Sequence, residues 1–190
     1  GGERQLAFFP QFRGRTITLR GGLEPVIAEV ASLAAEHDVV VLASGDPLFF
    51  GIGARLVSAV GTEHVEFVPA PTSIQWAFAR AGLPWDDAEV ISVHGRSLHG
   101  FVTRLRMVSK AAVLTDAQNT PASLAQRLLE YGEGAWEAWH CERLSGPGER
   151  VRLLTLRELA ETTECDPLNV VILRRTTASW RPPPTLADHH

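Results

Sequence analysis

The sequence predicts an α/β protein of two α/β domains, the first built on a mainly parallel sheet and the second on a mixed one. Three observations carry this. Short β-rich runs alternate with helical patterns along most of the chain, which is how strands joined by crossover helices read. The run Val39 to Ala43 is continuously apolar, as expected of a strand covered on both faces. After Trp136 the β-rich runs follow one another closely, too closely for every connection to be a helix.

The elements follow in order. Thr16 to Leu19 reads as a strand. Leu23, Val26, Ile27, Val30 and Leu33 then recur on one face of a helix, as the 3.6-residue period requires. After the strand Val39 to Ala43, the loop Ser44-Gly45-Asp46-Pro47 leads into a helix over Phe50 to Val60, and Val65 to Val68 is the next strand. Thr72 and Gln75 make a T-x-x-Q capping box, and Gly82 and Pro84 stop the helix that it starts. Glu89 to Val93 is a strand, Ser97 to Val108 a helical stretch, and Ala111 to Thr115 a further buried strand. Thr120 caps a helix with Pro121 in its first turn and Gly132 at its end. Trp136 to Cys141, Val151 to Leu154 and Leu168 to Arg174 are strands, with a second capping box, Thr155 and Glu158, between the last two. A boundary near Leu83-Pro84-Trp85 gives an N-terminal domain over 1–84 and a C-terminal one over 85–175. The stretch 176–190 carries three consecutive prolines and no periodicity, and reads as a linker or tail.

Composition narrows the function. The 190 residues carry a formal charge of -4, which excludes the overall basic field of a nucleic-acid binder. Two cysteines, Cys141 and Cys165, form neither a metal-ligand spacing nor a disulfide framework. With no apolar run long enough to cross a bilayer and no signal-peptide layout, the expected setting is the cytoplasm.

Two loops and one charged stretch are candidates for chemistry. The loop Ala43 to Gly51 leaves the C-terminal end of a strand, the edge at which open α/β sheets bind ligands, and Gly45 lets backbone approach one closely. Asp46-Pro47 also reads as a plain helix cap. Pro69-Ala70-Pro71-Thr72-Ser73 repeats the arrangement before the next helix, whose free N–H groups suit a carboxylate. From Val90 to Lys110 there is no Asp or Glu, while Arg96, Arg104, Arg106, Lys110, His94 and His99 fall there. That is a local basic region suited to a polyanion, or a solvated face whose charges pair elsewhere.

Taken together, Ser44 to Gly51 and Pro69 to Ser73 resemble the two signature loops of the tetrapyrrole methylases. Ser92 to Arg96, Leu114-Thr115-Asp116 with Asn119-Thr120-Pro121, and Cys141-Glu142 with Gly146-Pro147 are similar to the branch that methylates carbon 5 of a corrin precursor in cobalamin biosynthesis. The resemblance implies two α/β domains with S-adenosyl-L-methionine in the cleft between them and a small tetrapyrrole as substrate. It implies cofactor contacts at Gly45, Asp46, Phe49, Thr72, Ser73, Thr115 and Leu144. With the charge clustering, it points to His94, Arg96, Arg104 and Arg106 for substrate binding. No catalytic side chain and no metal are assigned, because the nucleophile belongs to the substrate. Such relatives open with a strand and a Gly-Pro-rich loop that this sequence lacks ahead of Gly1, so the first strand is expected to be missing. A fused or partner decarboxylating methyltransferase domain and a homodimer fit the same picture; nucleic acid and membrane do not. The residues leave two alternatives open: a non-catalytic cofactor-binding or interaction domain, and a relative acting on another substrate.

Overall fold

A computed structural model describes residues 1–176. The expected tail therefore lies, from residue 177 on, outside the described residues. The chain divides into two compact units, Gly1–Thr72 and the part that starts at Ser73.

In the first unit, helices α1 (Glu3–Leu6), α2 (Leu23–Ala34) and α3 (Gly53–Val60) are followed by a 3-10 turn at Thr62–His64. The apolar stripe of α2 buries Ile27 and Val30, and α3 buries Gly53 and Leu56. The two helices pack on each other, and Arg55 reaches Glu24 across them at 2.6 Å. Gly61, at φ 88°, ends α3 in a conformation that side chains resist.

The three strands expected here, and with them the parallel sheet, are not formed among the described residues. Residues 16–19, 39–43 and 65–68 are irregular. A strand exists through its ladder, and these runs find almost none. Gly1 alone sits against the first of them, donating to Ile17 O at 3.2 Å and accepting from Leu19 N at 2.9 Å. Val40, read as buried, is 82% exposed, and Val68 in the third run is 76% exposed.

The second unit is the mixed sheet that the sequence predicts. Strands β1 (Glu89–Ser92), β2 (Lys110–Leu114), β3 (Trp136–Glu142), β4 (Arg150–Thr155) and β5 (Asn169–Arg175) lie in the order β1-β2-β5-β3-β4. Among the described residues only β1 and β2 pair in parallel; β5 runs antiparallel to both β2 and β3, and β4 antiparallel to β3. Helices α5 (Phe101–Arg106), α6 (Pro121–Glu130) and α7 (Leu156–Ala160) cover one face, burying Phe101, Leu105, Leu124, Leu128 and Leu159 against Ile91, Val113, Val171 and Leu173. Val170 and Ile172 alternate to the other face, where α4 (Ser73–Ala81) packs on β5 and β3. Thr120 caps α6, accepting from Ser123 N at 3.2 Å with Pro121 beside it, and the Thr155–Glu158 capping box starts α7.

Several boundaries differ from the sequence reading, among them the start of α3 at Gly53 rather than Phe50. The compact units divide between Thr72 and Ser73, ahead of the boundary read near Pro84. The cause is the stripe Ile74, Ala77 and Phe78, each at most 1% exposed, which fastens α4 to the second sheet. The helix expected from Ser97 begins only at Phe101, because Gly100 adopts a left-handed φ of 74°.

Since Phe78 is 1% exposed, Phe78→Ala is expected to cost about 3–5 kcal/mol through lost burial and the cavity left behind. Urea denaturation checks this; a loss below about 0.5 kcal/mol, the size of a surface substitution, contradicts the packing described.

Candidate functional site

Within the first unit, the two signature loops meet. Gly45 has φ 70°, and a Cβ built on it would lie 3.4 Å from Thr72 Cα and 3.6 Å from the Pro71 carbonyl oxygen. Backbone thus faces backbone with no side chain between, a contact that glycine alone permits without strain. The rest of the first loop is held by its own polar groups. Asp46 Oδ1 accepts from Leu48 N at 2.8 Å, and Gly53 N donates to Pro47 O at 2.8 Å. Asp46 therefore closes an Asx turn and does not cap α3, which starts seven residues later. A Cβ at Gly51 would fall 2.4 Å from the Pro47 oxygen, so the turn leaves no room for a side chain there. Phe49 lies edge-on to Phe50, ring centres 4.9 Å apart. Arg4 ties the loop back to α1 through Ser44 Oγ at 3.0 Å. These residues suit a group held chiefly by main chain, which is how a nucleoside cofactor settles against glycine-rich turns. A hollow between α2 and α3, lined by Glu24, Ile27, Ala54, Arg55, Ser58 and Ala59, shares no residue with either loop.

In the second unit, Ser73 opens α4 and is exposed. His94, Gly95 and Arg96 follow the C-terminal end of β1, and Thr115 follows that of β2. Thr115 is 6% exposed, and its hydroxyl donates to Asn169 Oδ1 at 2.6 Å. His94 Nδ1 lies 3.3 Å from the Thr115 carbonyl oxygen. Leu144 is half-buried in a turn between two left-handed non-glycine residues, Arg143 at φ 50° and Ser145 at φ 59°.

The basic stretch divides. Arg104 pairs with Glu89, Arg106 with Glu133 at 2.7 Å, and Lys110 with Asp87. All three acids lie outside the acid-free window 90–110, which is why the sequence pattern overstated free positive charge. Arg96 is the exception: its guanidinium has no acidic partner among the described residues.

Sequence reasoning missed two polar clusters. Asp116 accepts from Asn119 N at 2.6 Å, Gly95 N at 2.5 Å and Gln118 N at 2.8 Å. These backbone bonds hold its carboxyl below the usual range. The other cluster sits on β3 and β4. Glu142, 1% exposed, accepts from Arg150 Nε at 2.6 Å, Arg150 Nη2 at 2.9 Å and Asp166 N at 2.9 Å. Burial alone would raise its pKa, but Arg150 and the Asp166 N–H outweigh that and lower it. His140, fully buried, presents Nδ1 to Arg152 Nη2 at 2.9 Å. Arginine only donates, so that nitrogen keeps its lone pair and the proton sits on Nε2, which has no hydrogen-bond partner among the described residues and lies 3.9 Å from Glu142 Oε1. The His140-Cys141-Glu142 run at the end of the strand was the available signal, although nothing in it tells a buried carboxylate from an exposed one.

Known proteins sharpen this geometry. Residues 3–160 match the model of the tetrapyrrole (corrin/porphyrin) methylases. The chain is 35% identical to the cobalt-precorrin-7 C(5)-methyltransferase of Salmonella typhimurium, over 91% of its own length and 83% of that protein's. It is 36% identical to the decarboxylating precorrin-6Y C(5,15)-methyltransferase of Mycobacterium tuberculosis, covering 83% of this chain but 41% of that one. Among solved structures it is similar to the uroporphyrin-III C-methyltransferase of Thermus thermophilus complexed with S-adenosyl homocysteine, at 28% identity and TM-score 0.68, over 92% of this chain and 81% of that one. An α/β chain with loops of this kind belongs to the methyltransferase enzymes. More narrowly, this chain belongs to the tetrapyrrole methylase family.

One pH effect follows from His140. Burial lowers its pKa from the ordinary 6.5, Glu142 raises it, and Arg152 and Arg150 lower it, with a net downward shift. The folded imidazole thus stays neutral where the unfolded one binds a proton. This contribution to stability is complete above pH 6.5 and shrinks as pH falls from there toward the lowered folded value. Urea midpoints measured from pH 8 down to pH 5 should fall for the native chain and fall less for His140→Gln. Equal slopes for the two proteins contradict a buried neutral histidine.

Proposed function

We propose that this protein methylates carbon 5 of a precorrin, using S-adenosyl-L-methionine, in cobalamin biosynthesis. The observation that carries this is the meeting of the Gly45 turn with the Thr72 loop, backbone to backbone, in a chain whose relatives are carbon-5 precorrin methyltransferases. When bound, S-adenosyl-L-methionine supplies an electrophilic methyl group to a nucleophilic ring carbon. In the first unit Gly45, Asp46, Phe49 and Thr72 would hold it. In the second, Ser73, Thr115 and Leu144 are the candidates; the Thr115 hydroxyl is already given to Asn169, which leaves its main chain for the role.

The chain's own work is binding and orientation, which can account for roughly 7–11 kcal/mol of a barrier. Arg96, without an acidic partner, is placed to meet a carboxylate of the tetrapyrrole, with His94 beside it in the same loop. Arg104 and Arg106 are secondary candidates, since each would have to exchange a carboxylate of this chain for one of the substrate. No side chain is assigned as general base. The chain corresponds to the carbon-5 half of the longer decarboxylating relatives, of which it spans 41%, so a fused or separate decarboxylating partner completes the C(5,15) reaction in this reading. A cytoplasmic setting accords with the free thiols of Cys141 and Cys165, and a homodimer remains part of the proposal.

Calorimetric titration with S-adenosyl homocysteine tests the cofactor half. Gly45→Ala forces a side chain into a left-handed position at the loop contact and is expected to weaken binding about five- to thirtyfold, as a cost of about 1–2 kcal/mol implies. Unchanged affinity sinks the assignment of Gly45, and no binding by the native chain would leave an interaction module. Mass spectrometry of a precorrin before and after incubation should show one added methyl group; an unaltered mass rejects the substrate.

A further inference from the structure

Four consecutive residues after β1 are each bonded to the loop that follows β2. Asn119 Nδ2 donates to Val93 O at 2.8 Å and to Arg96 O at 2.9 Å. His94 Nδ1 lies 3.3 Å from Thr115 O, and Gly95 N donates to Asp116 Oδ2 at 2.5 Å. Part of this is ordinary turn chemistry: Asp116 Oδ1 accepting from Gln118 N and Asn119 N closes its own loop. The rest is not local. Gly95 and Asp116 stand 21 positions apart, and Asn119 spans 23 and 26 positions to its two acceptors. A loop needing only solvation would meet water at those carbonyls. Here one amide takes both ends of the 93–96 segment and one carboxylate oxygen takes its middle. Gly95, at φ 63° with nothing within 4 Å of a built Cβ, supplies the conformation and not the space. What the clamped segment displays is Arg96, the one arginine or lysine of the 90–110 stretch outside an acid pair among the described residues.

We infer that Asp116 and Asn119 are positioning residues: they clamp the His94-Gly95-Arg96 segment so that the Arg96 guanidinium is presented to a carboxylate of the tetrapyrrole. This rests on the reading of Arg96 given above. The clamp removes in advance the loop freedom that binding would otherwise have to freeze, which is the gain of preorganisation.

Asp116→Asn is the selective test. It keeps the Oδ1 acceptor for Gln118 and Asn119 but sets an amide donor against the Gly95 N–H. The expected result is a KM for the precorrin raised about tenfold, the equivalent of one charge-assisted hydrogen bond. Turnover at saturation should fall by less than KM rises, and S-adenosyl homocysteine should bind as tightly as to the native chain. Amide exchange of Gly95 should be protected in the native protein and fast in the variant. Asn119→Ser, which removes both donated bonds, should repeat the KM effect and serves if Asp116→Asn does not fold. Arg96→Ala separates the two levels. If it leaves KM unchanged, the reading of Arg96 falls and the clamp loses its object. If it raises KM while Asp116→Asn and Asn119→Ser do not, the positioning inference alone is overturned. A native Gly95 amide that exchanges as fast as free loop also overturns it.

Discussion

Strand β5 enters the sheet between β2 and β3, antiparallel to both, and most of the second unit depends on that placement. Every residue from Val170 to Leu173 is at most 2% exposed, so the strand is covered on both faces and bonded on both edges. Its two faces receive different helices, α4 on one and the α5, α6 and α7 group on the other. The start of the strand also organises chemistry. Asn169 stands in register with Glu142 and meets the Thr115 hydroxyl, so one residue joins the end of β2 to the end of β3. The candidate cofactor residue Thr115 is therefore fixed by a strand more than fifty positions away in sequence.

Electrostatics in this unit is a matter of local pairing. A net charge of -4 says little about any particular arginine. Three of the four strong bases between 90 and 110 are matched by carboxylates from neighbouring elements, and the exposed pair among them, Arg104 with Glu89, contributes little to stability. Their consequence is subtractive: they leave Arg96 as the cation on offer. Glu142 shows the opposite case, a carboxylate at 1% exposure that can stay charged because Arg150 and a backbone N–H together replace its water.

Legibility differed sharply between the two units. In the second, the capping box at Thr155 and Glu158 and the Thr120-Pro121 start were readable because caps are local: donor and acceptor lie within one turn. The strands were readable because their apolar runs find partners inside the same unit. In the first, α2 was found from its stripe and α3 from the loop that leads into it, yet the runs at 16–19, 39–43 and 65–68 did not become strands. Apolar pattern records what a segment would gain by burial; it does not supply the neighbour that provides the ladder. The same limit explains why Asp46 was open to reading as a helix cap when it closes a turn of its own.

By itself, the sequence determined the class of fold, the mixed character of the second sheet, the capped helix starts at Thr120 and Thr155 and the two glycine- and proline-marked loops, because each depends on contacts or conformations only a few residues long. Tertiary structure decided the rest: that α4 belongs with the second sheet, that Gly45 meets Thr72, that Arg104 and Arg106 are already paired, and that Asp116 and Asn119 hold the segment carrying Arg96. Each of these is set by an approach between residues far apart in the chain. Such an approach exists only once the elements within each unit have packed, and no local pattern encodes it.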